Sequence, residues 1–148
     1  MDCQFIDMGE PTVAETKALY GHLISECEKL NIGYIQLMRY IAVLDPEGRG
    51  LKDLDVVAEF RPMIKNAAVL VNGDYDGAKA EAAVTAKQAD AIAFGRPFIA
   101  NPDFPDRVKN KVPLAADEFS KWYGVHAADG SIKDRVDGYT SYLPATVA

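Results

Sequence analysis

Apolar residues at Val13, Leu19, Leu23, Ile24, Cys27 and Leu30 recur at helical spacing, and Pro11-Thr12 offers a start, predicting a helix over 13–30. The run from Ile32 to Met38 is short, β-branched and aromatic, which predicts a strand. Pro46, Gly48 and Gly50 mark 44–50 as a loop. A shorter helical pattern follows over 51–63, with Leu54, Val57, Ala58 and Phe60 inward. Ala67 to Val71 is a continuous apolar run, as expected of a strand buried on both faces. Asn72-Gly73-Asp74-Tyr75 breaks it, and an alanine-rich helix is predicted from 76 to 88. A third buried strand, 91–94, stops at Gly95-Arg96-Pro97. Beyond it the pattern predicts a helical turn over 98–100, helices over 103–109 and 117–123, and an irregular tail. Helix and strand alternate three times. The class is therefore α/β, with three parallel, adjacent strands and helices covering one face. Pattern alone leaves a barrel and an open sheet as alternatives.

Composition narrows the setting. A chain of 148 residues, 49% hydrophobic and with net charge −6, suits one domain over 1–148. Its 16 Lys and Arg are scattered among 22 Asp and Glu, so no basic face offers itself to nucleic acid. No apolar stretch approaches the ~20 residues of a membrane helix. The start, Met1-Asp2-Cys3-Gln4, has no signal-peptide pattern. Cys3 and Cys27 are too few for a disulfide scaffold, so a cytoplasmic location is expected, with no nucleic-acid or membrane partner. Length excludes a complete (β/α)8 barrel, which needs roughly 200 residues or more.

Two strand ends carry candidate chemistry. One runs into Gly73 and Asp74, the other into Gly95 and Arg96. In parallel α/β folds ligands bind where strands end, and glycine lets a backbone N–H approach an anion closely. Arg96 adds a charged fork for phosphate oxygens, so the N–H groups of Gly73 and Gly95 and the Arg96 guanidinium are expected to converge on one anion. The plainer alternative is two turns, with Arg96 paired to a nearby carboxylate. His22 and His126 have no second ligand at metal spacing, and no metal is expected. Neither cysteine has a nucleophile's setting. Ser25 and Ser120 read as solvated helix residues, and Asp53, Asp55 and Glu59 as a charged helix face. Tyr139, between Gly138 and Thr140, either staples the tail or brings a phenol to a pocket mouth.

The run Asp90 to Asp103, with Phe94-Gly95-Arg96-Pro97-Phe98-Ile99-Ala100-Asn101-Pro102-Asp103 at its centre, closely resembles the last-strand signature of the old yellow enzyme family. Leu30 to Leu37 resembles that family's sixth strand, and Val69 to Tyr75 its seventh strand and phosphate loop. Gly138-Tyr139-Thr140-Ser141-Tyr142-Leu143-Pro144 resembles its C-terminal segment, departing at Ser141 and Leu143. Phe5, Asp7 and Met8 resemble the loop after the fifth strand.

The resemblance implies a partial TIM (β/α)8 barrel, the C-terminal three βα units (strands 6–8) plus a tail. It implies FMN as cofactor, NAD(P)H as reductant and activated alkenes such as α,β-unsaturated carbonyls as small-molecule substrates. Gly73, Asp74, Gly95 and Arg96 match the residues around the FMN phosphate, and Tyr139 the tyrosine at the substrate mouth. Asp74 stands where the family usually has Gly, Ala or Asn, and a carboxylate there repels a phosphate unless it turns away. The family's catalytic residues would lie upstream, so no catalytic residue is assigned. An N-terminal half-barrel chain or a second copy is the expected partner. The alternative is a non-catalytic phosphate- or flavin-binding or interaction module derived from a truncated barrel.

Overall fold

The computed structural model describes residues 12–42, 45–48, 50–122, 125–127, 129–134, 136–138 and 140–145. Phe5, Asp7, Met8 and Tyr139 lie outside the described residues. The chain divides into two compact units, Met1–Ala93 and Phe94–Ala148.

In the first unit α1 spans Val13–Lys29. It starts in a capping box: Thr12 Oγ1 accepts from the Glu15 amide, and the Glu15 carboxylate accepts from the Thr12 amide. The helix is as predicted, but its buried side is not the leucine stripe. Thr16 and Ile24 are buried, whereas Leu19 is 63% exposed. Thr16, Tyr20, Ile24 and Cys27 lie three to four residues apart, and it is this stripe that turns inward.

Strands β1 (Tyr34–Met38), β2 (Ala68–Asn72) and β3 (Ala91–Ala93) form one sheet in that order. Both pairings are parallel, with Ile35 opposite Val69, Leu37 opposite Val71, and Val71 opposite Ile92. The expectation of parallel neighbours holds. Burial on both faces of β2 does not. Ala67, Val69 and Val71 are buried, Ala68 is exposed and Leu70 half-buried. Successive side chains alternate faces, so only one face meets the core of Ile24, Val56, Val57, Phe60 and Ile64. The other face shows Tyr34, Gln36, Met38, Leu70 and Asn72, half-buried or exposed.

The second helix is shorter than the 13 residues predicted. α2 runs over Val56–Phe60 because the Asp55 side chain caps it, accepting from the Val57 and Ala58 amides at 3.0 Å each. Pro62, which lacks an N–H, follows inside a 3-10 turn, Arg61–Met63. Glu28 then reaches from α1 to the loop before β2, accepting from the amides of Lys65, Asn66 and Ala67. Those amides, Asn66 first, hold its carboxyl below the usual glutamate range. α3 covers Gly77–Thr85, inside the predicted 76–88: Asp76 caps its start, and the left-handed Lys87 (φ 56°) marks its end.

The second unit begins with α4 (Arg96–Ala100) and α5 (Phe104–Asn110), followed by a 3-10 turn, Phe119–Lys121, where a helix over 117–123 is predicted. The tail is not wholly irregular. β4 (Val125–His126) and β5 (Ile132–Asp134) pair antiparallel with a register shift. Two buried polar side chains organise this unit. Asn101 donates to the Pro97 and Ala115 carbonyls and accepts from the Ala115 amide. Arg107 donates to Asp103 and to the carbonyls of Pro113 and Leu143.

Candidate functional site

At the first candidate position, β2 and β3 end level: Asn72 lies opposite Ala93, and its carboxamide donates to the Ala93 carbonyl at 3.0 Å. Gly73 follows, buried, with φ 120°. A Cβ there would lie 2.8 Å from Arg39 Cβ and 3.0 Å from the Arg39 nitrogen and oxygen. The Arg39 amide donates to the Asn72 carbonyl at 2.8 Å, so the end of β1 is drawn tight against this turn. Glycine is thus demanded at 73 by both backbone angle and close approach. Asp74 is exposed and left-handed, with φ 58°.

Gly95 and Arg96 are built differently. Gly95 is exposed, with φ −105° and nothing within 4 Å of where a Cβ would stand. The segment around it is fixed by rings: Phe94 and Phe98 pack on Phe104 at centroid distances of 4.7 and 5.1 Å. Arg96 opens α4 with its guanidinium 5.9 Å from the centre of the Trp122 ring, a cation–π arrangement. That contact positions the side chain through a ring and not only through charge.

The rest of the signature serves structure. Asn101 is fully buried in the bonds described above. Asp103 sits 2.7 Å from Arg107 Nε and accepts from the Ala145 amide. Burial pushes the Asp103 carboxyl up, but Arg107 and that amide outweigh it and leave it below the usual range.

Other expectations divide in the same way. His22, Ser25 and Ser120 are exposed. Asp55 is a helix cap, and Glu59 pairs with Lys17, so these carboxylates are more committed than a solvated face. Among the described residues no group of three or more His, Cys, Asp or Glu is placed to hold a metal. Nor is any described helix long and apolar enough to cross a membrane. Sequence reasoning missed Arg39, whose guanidinium lies 4.9 Å from the Tyr75 ring centre beside Gly73. Its signal, a cation directly after a strand, is too common to single out.

Comparison with known proteins gives this geometry a context. Residues 12–115 match the model of the NADH:flavin oxidoreductase / NADH oxidase family. A 12-oxophytodienoate reductase-like protein from Solanum lycopersicum is 29% identical over 129 residues, which cover 87% of this chain and 31% of the relative. Among solved structures, the old yellow enzyme homologue from Zymomonas mobilis has a TM-score of 0.70 at 29% identity, over 88% of this chain and 33% of that one. Morphinone reductase, solved in complex with tetrahydroNAD, has a TM-score of 0.68 at 30% identity, over 95% and 34% respectively. The chain spans about a third of the length of these proteins and corresponds to a piece of their α/β barrels. With the family model matched from the capped start of α1 to beyond α5, and the fold matched in solved old yellow enzymes, the chain belongs to the FMN-dependent NADH:flavin oxidoreductase family.

Proposed function

We propose that this chain forms the phosphate-holding side of an ene-reductase, as strands 6–8 of an old-yellow-enzyme barrel. The reaction would be NAD(P)H-dependent reduction of activated alkenes such as α,β-unsaturated carbonyls, in the cytoplasm. The observation that carries the reading is the family match over 12–115, which takes in the level strand ends at Asn72 and Ala93 and the glycines beyond them. In this reading Gly73, Asp74, Gly95 and Arg96 hold the FMN phosphate, and Tyr139 lines the substrate mouth.

The residues suit such a group unequally. Open space at Gly95 lets an anion reach the backbone, and Arg96 presents a planar fork to phosphate oxygens. Asp74 fits only with its carboxylate turned outward, since two like charges repel at short range. When bound, FMN supplies the hydride chemistry, while the protein binds and orients it. No residue of this chain is given a catalytic role. The half-exposed sheet face carrying Tyr34, Met38 and Leu70 supports a partner, which we read as an N-terminal half-barrel.

Titrating FMN into wild type and Arg96→Ala, followed by flavin fluorescence, tests the reading. Loss of a charge-assisted contact, worth ~1.5–3 kcal/mol, is expected to weaken binding roughly 10- to 100-fold. Equal affinities would reject Arg96 as a phosphate ligand. Alkene reduction by the chain alone would reject the assignment of catalysis to residues outside it.

A further inference from the structure

Between α2 and α3, within the first unit, lies a cleft of about 630 Å³ that the flavin reading does not use. Its size falls in the range of small-molecule sites, roughly 300–1,000 Å³. The cleft exists because α3 turns Ala82, Ala83 and Ala86 toward it, and methyl groups do not fill the space between neighbouring helices. Facing them are Val57, Ala58 and Pro62.

Charge along the cleft is uneven. The chain carries net −6, yet the lining has four cations, Arg39, Arg61, Lys79 and Lys87, and one carboxylate, Asp55. At the edge where both helices start, charge is already committed: Asp55 caps α2, Lys79 pairs with Asp76, and Arg39 stacks on Tyr75. The edge where both helices finish is different. No carboxylate lines it, and Lys87 has no ion-pair partner among the described residues. Arg61 is underused: one terminal nitrogen donates to the Ile64 carbonyl, the other stands 3.8 Å from Asp90, and Nε is buried without an acceptor. A helix end normally repels anions through its free carbonyls. Here the carbonyls of Ala82, Ala83 and Val84 are taken by the amides of Ala86, Gln88 and Lys87.

We propose that this cleft binds a small amphipathic anion, a phosphate ester or carboxylate on an apolar body. Its head group meets Lys87 and Gln88, and its body lies along Ala82, Ala83 and Ala86. The inference is independent of the flavin reading.

The test is a titration of the ¹⁵N-labelled chain with phenyl phosphate, phenylacetate and inorganic phosphate. Saturable shifts at the Ala86, Lys87 and Gln88 amides are expected, with a Kd of about 1 mM for the tighter aromatic probe. The tighter of the two aromatic probes identifies the head group, and inorganic phosphate is expected to bind at least about tenfold more weakly for want of a body. Lys87→Gln should weaken binding about tenfold, whereas Lys79→Gln, at the committed edge, should change it less than about twofold. Ala82→Leu should block the aromatic probes by filling the cleft, and Arg96→Ala should leave them bound. Absence of saturable shifts at these amides would overturn the proposal. So would unchanged affinity in Lys87→Gln or Ala82→Leu, or shifts confined to Gly95 and Arg96.

Discussion

The two compact units differ in how much of what they bury is polar. The first packs Ile35, Leu37, Val69 and Val71 of a parallel sheet onto Ile24, Val56 and Phe60, an apolar core with polar groups at its margins. The second buries polar groups beside its apolar Ala100, Phe104 and Trp122: Asn101 and Arg107 gather backbone carbonyls from Pro97, Pro113, Ala115 and Leu143. An apolar core tolerates any residue of similar shape, whereas a buried hydrogen-bond hub requires a particular set of donors and acceptors.

The sharpest way to break this contrast is to remove a side chain from each centre. Phe60 is fully buried and meets the Tyr20 ring edge-on at 6.2 Å, so Phe60→Ala should cost about 3–5 kcal/mol in urea unfolding followed by circular dichroism. Asn101→Ala strands the Ala115 amide and two carbonyls, for about 1–3 kcal/mol, read by faster hydrogen exchange at Ala115. A loss larger than that of Phe60→Ala would make the polar hub the dominant element of the fold.

A second pair compares the glycines. Gly73→Ala meets both a positive φ and the Arg39 backbone, and should cost about 1–3 kcal/mol. Gly95→Ala enters open space and should stay within about 0.5 kcal/mol of wild type while weakening FMN binding. Equal destabilisation in thermal melts would erase the distinction between a glycine the fold requires and one it does not.

The smallest expected effect concerns Glu28. Its carboxyl titrates lower in the folded chain than in the unfolded one, so its contribution is present above the ordinary glutamate pKa. That contribution fades as pH falls through the depressed value. Glu28→Gln should therefore lower the neutral and basic plateau of a stability–pH curve and flatten its acid limb, coming closest to wild type at low pH.

Much of the first unit is legible in the sequence because its forces are periodic. The apolar runs that end at Met38 and Val71, and Ala91 to Phe94, mark the three strands to within a few residues. What the period does not convey is whether a partner exists: Leu19 and Leu70 look like core residues, but Leu19 is exposed and Leu70 only half-buried. Caps also escape the pattern, as Asp55 shortens a helix whose apolar spacing suggests an earlier start. In the second unit, Asn101 and Arg107 look like ordinary surface residues, because hydrogen-bond geometry leaves no rhythm along a chain. The candidate site is legible as a motif, yet the motif does not reveal that Asn101 and Asp103 serve packing while Gly95 stands open and Arg96 lies over the Trp122 ring.

The tight seat of Gly73 against Arg39 bears on how such a motif ages. In a descendant under selection for folding alone, position 73 would still be held at glycine, while position 95 would be released to drift. The two glycines thus keep different clocks. A saturation library at both positions, sorted first for folded protein and then for retained FMN, would read each clock separately: position 73 should narrow at the first sort, and position 95 only at the second.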